Sequence, residues 1–185
     1  ALANLHNARR ARVPLVNIVG DQAMRQRPLD PPLTGDTEGF ARPVSHWVRT
    51  CQDTGILGHD AALAVQAART SPGQIVTLIL PSDISWNPGG AVASPLPPPA
   101  CPPLDPRALE QAAVMLRNGK NTLILLAGRA LREQGLTMAA GIAARTGAKL
   151  MAETFNTRLQ RGRGRPSIPC LSYVVSTAVA ALASF

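Results

Sequence analysis

Ile75-Val76-Thr77-Leu78-Ile79-Leu80, followed by Pro81-Ser82-Asp83, decides the fold. A run of apolar and β-branched residues without polar alternation describes a strand covered on both faces, as in a parallel sheet flanked by helices. The segments before it read in the same terms. From His59, the apolar residues Ala62, Leu63, Val65, Ala67 and Ala68 recur at helical spacing, and Ser71-Pro72-Gly73 stops the pattern. Val44 to Thr50 alternates around Trp47 and predicts a strand. Leu15-Val16-Asn17-Ile18-Val19 predicts another, buried and parallel, closing on Gly20-Asp21. Between them, Gln22 to Pro43 holds four prolines and little periodicity, with Asp36-Thr37-Glu38 able to cap a brief helix. Loops of this length in compact domains are usually functional or mobile. Ala1, Leu2, Leu5 and Ala8 place a helix first, ending near Arg12 ahead of Pro14. The order helix, strand, loop, strand, helix, strand is half of an open α/β sheet.

Downstream, Asn87 to Pro106 contains eight prolines and two glycines and no periodic pattern, which predicts a linker, semi-rigid where prolines adjoin. A second α/β unit follows. It comprises a helix from Pro106 to about Asn118, a strand over Thr122 to Ala127, a helix from Leu131 to Arg145 and a strand over Ala148 to Met151. Asn156 to Pro169 is a basic loop, and Tyr173 to Ala183 predicts a closing helix.

A chain of 185 residues, 45% apolar and 16% charged, has the means to bury a core, and its length suits one domain or two small or incomplete ones. The net charge of +8 is nearly all arginine, gathered at Arg9, Arg10 and Arg12 and again at Arg158, Arg161, Arg163 and Arg165. Neither group is interleaved with aromatics, so no nucleic acid is expected as a partner. Cys51, Cys101 and Cys170 are odd in number and lack a C-x-x-C, which speaks against a disulfide framework or a zinc site and leads us to expect a cytoplasmic protein. The longest apolar stretch, Val174 to Ala183, is broken by Ser176 and Thr177 and falls short of the roughly 20 residues that span a bilayer, so no membrane partner is expected. Nor is a signal peptide expected. A first residue that is not Met, inside what reads as a helix, leads us to expect a chain cut from a longer one.

Motifs for chemistry are few. Gly-x-Ser-x-Gly is missing, and His6, His46 and His59 sit in no pattern that identifies a base. No acidic cluster suits magnesium. Leu125-Leu126-Ala127-Gly128-Arg129-Ala130 is a strand-to-helix junction whose amides could meet an anion. It lacks both the G-x-G-x-x-G spacing and a P-loop lysine, and a plain tight turn accounts for it. Gly20-Asp21-Gln22 lies at the carboxyl end of a strand, where open α/β sheets place their ligands, though an Asp there also caps turns.

Four stretches together resemble a known family. They are Ala1-Leu2-Ala3-Asn4-Leu5-His6-Asn7-Ala8-Arg9-Arg10, Pro14-Leu15-Val16-Asn17-Ile18-Val19-Gly20-Asp21, Ala41-Arg42-Pro43-Val44-Ser45-His46-Trp47 and Thr77-Leu78-Ile79-Leu80-Pro81-Ser82-Asp83-Ile84. They resemble thiamine-diphosphate-dependent enzymes, in particular acetolactate synthase large-subunit-like proteins and their benzoylformate decarboxylase relatives. The resemblance implies an α/β chain, the second half of a pyrimidine-binding parallel-sheet domain followed by a partial Rossmann-like central domain. The expected division is a pyrimidine-binding part over residues 1–87, a Pro-rich linker over 88–105 and a central part over 106–185.

The resemblance also implies an activity, the decarboxylation and carboligation of a 2-keto acid by a homo-oligomer. The cofactor serves as an electron sink. In such enzymes a glutamate of the pyrimidine domain tunes the aminopyrimidine, and a separate domain holds magnesium and the diphosphate through a Gly-Asp-Gly signature. No residue of this chain matches either element; Glu38, Glu133 and Glu153 fall elsewhere. We therefore expect no catalytic residue, no metal ligand and no turnover from these residues alone, with magnesium held on absent polypeptide. What the resemblance leaves is part of a thiamine diphosphate site, with Gly20, Asp21 and Gln22 toward the cofactor and Leu33 toward the substrate. Ala127-Gly128-Arg129 lacks the extra glycines of FAD-binding relatives, so FAD is expected to be absent. Two other readings compete: a small nucleotide- or anion-binding protein using Gly128 and the arginines, and a non-catalytic assembly module whose exposed sheet edge favours association.

Overall fold

The computed structural model describes residues 2–185, and Ala1, which the pattern assigns to the first helix, lies outside them. The chain forms two compact units, Ala1–Cys101 and Pro102–Phe185. In the first, α1 (Leu2–Arg10), β1 (Leu15–Asp21), α2 (Thr37–Ala41), β2 (Trp47–Thr50), α3 (Leu57–Arg69), β3 (Ile75–Pro81) and α4 (Ser82–Trp86) follow in order. The three strands form one parallel sheet, β1-β3-β2, with Leu15 opposite Ile75 and Asp21 opposite Pro81.

β3 is central, and both its faces are covered, as its unbroken apolar run requires. Val76 and Leu78 meet Ala64 and Ala68 of α3, whose small side chains let helix and sheet approach closely, and Trp47 closes the edge of this cluster. On the other face Ile75, Thr77 and Ile79 are wholly buried. The Thr77 hydroxyl is satisfied there, accepting from Asn17 Nδ2 at 3.2 Å and sharing a hydrogen bond with Ser45 Oγ at 2.7 Å. One buried charge accompanies this core. The Asp60 carboxylate is fully buried in the first turn of α3 and meets the half-exposed Arg49 of β2 at 2.9 Å. Beside it burial pushes the Cys51 thiol above its ordinary 9.0, and the Asp60 charge adds to the effect.

β2 is shorter than its alternation predicts, starting at Trp47 instead of Val44. The amides of Val44 and Ser45 bond back to the Ala41 carbonyl, so that stretch is a turn leaving α2. α2 itself follows the predicted cap: Asp36 Oδ1 accepts from the Gly39 amide at 2.8 Å.

The second unit holds α5 (Pro106–Arg117), β4 (Leu123–Leu126), α6 (Glu133–Thr146), β5 (Lys149–Ala152) and α7 (Val175–Leu182). β4 and β5 pair in parallel, and Leu126, Leu131, Leu136, Ala139, Ala152 and Ile168 form the core. α6 begins two residues later than predicted because Gly128–Leu131 winds into a separate 3-10 turn. Its end is as predicted, with Gly147 at φ 77°, a left-handed conformation that glycine adopts without steric cost. Among the described residues no helix is long and apolar enough to cross a membrane.

Candidate functional site

The carboxyl ends of β1 and β3 lie side by side, and the chain leaves them in two ways. After β1 it enters the long loop to α2; after β3 it turns at once into α4. Between the two runs a cleft of about 740 Å³, lined by Gly20, Asp21, Gln22, Leu33, Asp83 and Trp86 among others. The edge of an open parallel sheet is where such folds carry ligands, because the diverging loops leave a crevice there.

The loop is pinned. Asp21, nearly inaccessible, accepts from the Gln22 amide at 2.8 Å and pairs with Arg27 at 3.2 Å. The Arg27 contact has the distance of an ion pair but not the alignment of a hydrogen bond. Asp83 Oδ2 accepts from the Met24 amide at 3.0 Å, which fastens the loop to α4. Both carboxylates thus carry structural partners. Glu38 does as well: it accepts from Thr50 Oγ1 at 2.7 Å and pairs with Arg42 at 2.6 Å. Arg25 also lines the cleft, and among the described residues it has no carboxylate partner.

The floor of the cleft is bare backbone at Gly20. A Cβ built there meets nothing within 4 Å, and φ is not in the left-handed region, so neither packing nor conformation requires glycine. At the mouth, Leu33 and Trp86 are 85% and 86% exposed, two large apolar side chains left in water. The arrangement can receive a flat, partly polar molecule against Gly20, with the Gln22, Gln26 and Asn87 amides at its rim and apolar contacts from Leu33 and Trp86. Among the described residues no group of three or more His, Cys, Asp or Glu could hold a metal ion.

Gly20, Asp21, Gln22 and Leu33, chosen from the sequence, line this one cleft, while Arg25, Asp83, Trp86 and Asn87 join them from positions the sequence reading left aside. For Asp83 and Trp86 a signal was present, because Pro81-Ser82-Asp83 ends the clearest strand and the rule applied to the end of β1 holds equally for its neighbour. The Gly128 junction in the second unit opens on a 3-10 turn. Its amide donates to Glu153 Oε1 in a long, exposed contact of 3.4 Å.

No family model matches the chain. Over 182 residues, 98% of its length, it is 44% identical to the Mycobacterium tuberculosis protein named "Putative acetolactate synthase large subunit IlvX", of which it covers 35%. Among solved structures it is similar to the thiamine diphosphate-dependent 4-hydroxybenzoylformate decarboxylase of Rhodococcus jostii, with a TM-score of 0.79 at 17% identity over 98% of this chain and 36% of that one. It is also similar to the benzoylformate decarboxylase of Polynucleobacter necessarius, with a TM-score of 0.69 at 24% identity over 83% of this chain and 29% of that one. The chain therefore spans about a third of the length of the proteins it matches. Its sequence is thus similar to that of the M. tuberculosis protein along nearly its whole length, and its fold matches the corresponding parts of the two solved enzymes.

Proposed function

We propose that this acetolactate synthase-like chain supplies one wall of a thiamine diphosphate site in an enzyme that decarboxylates a 2-keto acid and joins the product to a second carbonyl. Residues 1–87 act as part of the pyrimidine-binding domain, 88–105 as linker and 106–185 as part of the central domain. The observation that carries the reading is the convergence of Gly20, Asp21, Gln22 and Leu33 on one cleft at the carboxyl edge of the sheet.

When bound, the cofactor supplies a carbanion-stabilising centre. The residues of this chain bind and orient. Gly20 lets a ring approach the backbone, and Gln22 offers an amide that both donates and accepts. Asp21, tied to Arg27 and to the Gln22 amide, holds the start of the loop in place. Leu33 covers the substrate side and excludes water. We assign no catalytic residue and no metal ligand to the chain; magnesium and the cofactor's phosphates are held by other polypeptide, in a cytoplasmic homo-oligomer. FAD takes no part, since Ala127-Gly128-Arg129 lacks the extra glycines of FAD-binding relatives.

The test has two arms. The chain with pyruvate, thiamine diphosphate and magnesium should release no carbon dioxide and form no acetolactate. A chimera in which it replaces the matching third of the M. tuberculosis relative should turn over a 2-keto acid, with activity falling at least tenfold on Gln22→Ala. Turnover by the isolated chain, or a folded, active chimera indifferent to Gln22→Ala and Leu33→Ala, contradicts the reading.

A further inference from the structure

The first unit has a second cleft, at the opposite end of its sheet. It encloses about 800 Å³ and is lined by His6, Arg9, Arg10 and Arg12 on one side and by His46 and the turn at Gly73 on the other. Leu15 and Ile75 begin β1 and β3 here, whereas the first cleft lies beyond Asp21 and Pro81. Seven residues of strand at roughly 3.3 Å each place about 20 Å between them. A molecule bound here is not the one handled at the other end.

The cleft is cationic and unneutralised. No carboxylate lines it, and among the described residues the ion pairs fall on Arg27, Arg42, Arg49 and Arg165, none of which belongs to it. Arg9 donates from Nη1 to the Pro43 carbonyl, which ties α1 to the segment leading into β2 and fixes one wall. The end of a helix favours cations, which accounts for Arg9 and Arg10 at the close of α1. It does not account for Arg12, which lies beyond the helix, or for His46, which comes from a separate segment.

Arg12 also occupies the left-handed region at φ 53°, unfavourable for a residue with a Cβ. That conformation closes α1: the Arg12 amide donates to the Arg9 carbonyl at 3.1 Å and the Val13 amide to the Ala8 carbonyl at 3.0 Å. Gly73 lies against it, where a Cβ would stand 2.5 Å from the Arg12 carbonyl oxygen. Three arginines thus line one cleft, and among the described residues none of them pairs with a carboxylate.

We propose that this cleft binds a small polyanion carrying two adjoining phosphate groups. Guanidinium forks match phosphate oxygens in pairs of hydrogen bonds, and several of them in one cleft suit more than one phosphate. The volume lies in the usual range for small-molecule sites. The site stands apart from the proposed thiamine diphosphate function and does not rest on it.

The test is calorimetric titration of the 185-residue chain with inorganic diphosphate, orthophosphate, ADP and a short DNA duplex. Diphosphate should saturate one site per chain, at least tenfold more tightly than orthophosphate. ADP should bind as well as diphosphate or better, since both carry the recognised group. Arg12→Gly suits the left-handed backbone, so it should leave thermal stability intact or raised while weakening diphosphate at least tenfold; Arg10→Gln should weaken it similarly. Arg163→Gln, an equal loss of charge in the other unit, should change nothing. The proposal is overturned by an absence of saturation, by orthophosphate binding as tightly as diphosphate, by tighter binding of the duplex, or by unchanged affinity in both Arg10→Gln and Arg12→Gly.

Discussion

Arg49 and Asp60 form an unequal pair, and the inequality predicts which partner is worse to lose. Asp60 is wholly buried, whereas the Arg49 side chain is 41% exposed and reaches water when its partner is removed. Asp60→Asn therefore forfeits one charge-assisted contact at 2.9 Å and leaves a guanidinium able to rehydrate, a loss of about 1–2 kcal/mol. Arg49→Met strands a carboxylate with no route to solvent, and the loss should be about 3 kcal/mol near neutral pH. Urea unfolding followed by tryptophan fluorescence reads this cleanly, since Trp47 and Trp86, the only tryptophans, both lie in the first unit. At an m-value of about 2 kcal/mol per molar, Arg49→Met should lower the midpoint by about 1.5 M. An Asp60→Asn loss equal to or greater than that of Arg49→Met refutes the reasoning.

Other outcomes follow from the same structure. Gly20→Ala should change stability by no more than about 0.5 kcal/mol, because its Cβ meets nothing, so any loss of ligand response in that variant reports on the cleft and not on folding. Ile79→Ala, at a fully buried position of the central strand, should cost about 3 kcal/mol in the same urea assay. Thiol titration should find Cys101 and Cys170 reacting at once and Cys51 only on unfolding, because Cys51 is buried and the others are exposed. The raised Cys51 pKa also means that the native state holds its proton longer than the unfolded chain. Its contribution is therefore complete below the ordinary 9.0 and fades as pH climbs above it, and Cys51→Ala should flatten that part of the alkaline decline.

The sheet was legible because β1 and β3 are built from β-branched and aliphatic runs with no helical period, and the parallel order followed from the helix between β2 and β3. Two features were less accessible for local reasons. Val44-Ser45-His46 alternates as a strand does, yet its first two amides are consumed by the turn from Ala41, a bond that no side-chain pattern announces. α4, at five residues, is too short for periodicity to register, so the sequence shows the strand end at Pro81-Ser82-Asp83 but not the helix that carries Asp83 and Trp86 along the cleft. The cleft residues on the β1 side could be chosen because Gly20 and Asp21 close a strand at the edge where open α/β sheets place ligands, and because the family resemblance pointed to the loop that follows; Leu33 came from the resemblance alone. Arg25 and Asn87 needed the fold, which alone brings the loop after β1 beside the end of α4. The arginine cleft is the same case: Arg9, Arg10 and Arg12 are adjacent in sequence, but His46 and Gly73 reach them through the parallel stacking of three strands.

The most direct test of the central claim is amide NMR of the chain titrated with thiamine, which carries the aminopyrimidine and thiazolium rings but no phosphate for the arginine cleft to capture. The account predicts shifts confined to Gly20, Asp21, Gln22, the loop at Leu33 and the Asp83-to-Asn87 segment, and abolished by Gly20→Ala. Shifts centred on the Gly128 turn, or none at millimolar thiamine, would contradict it.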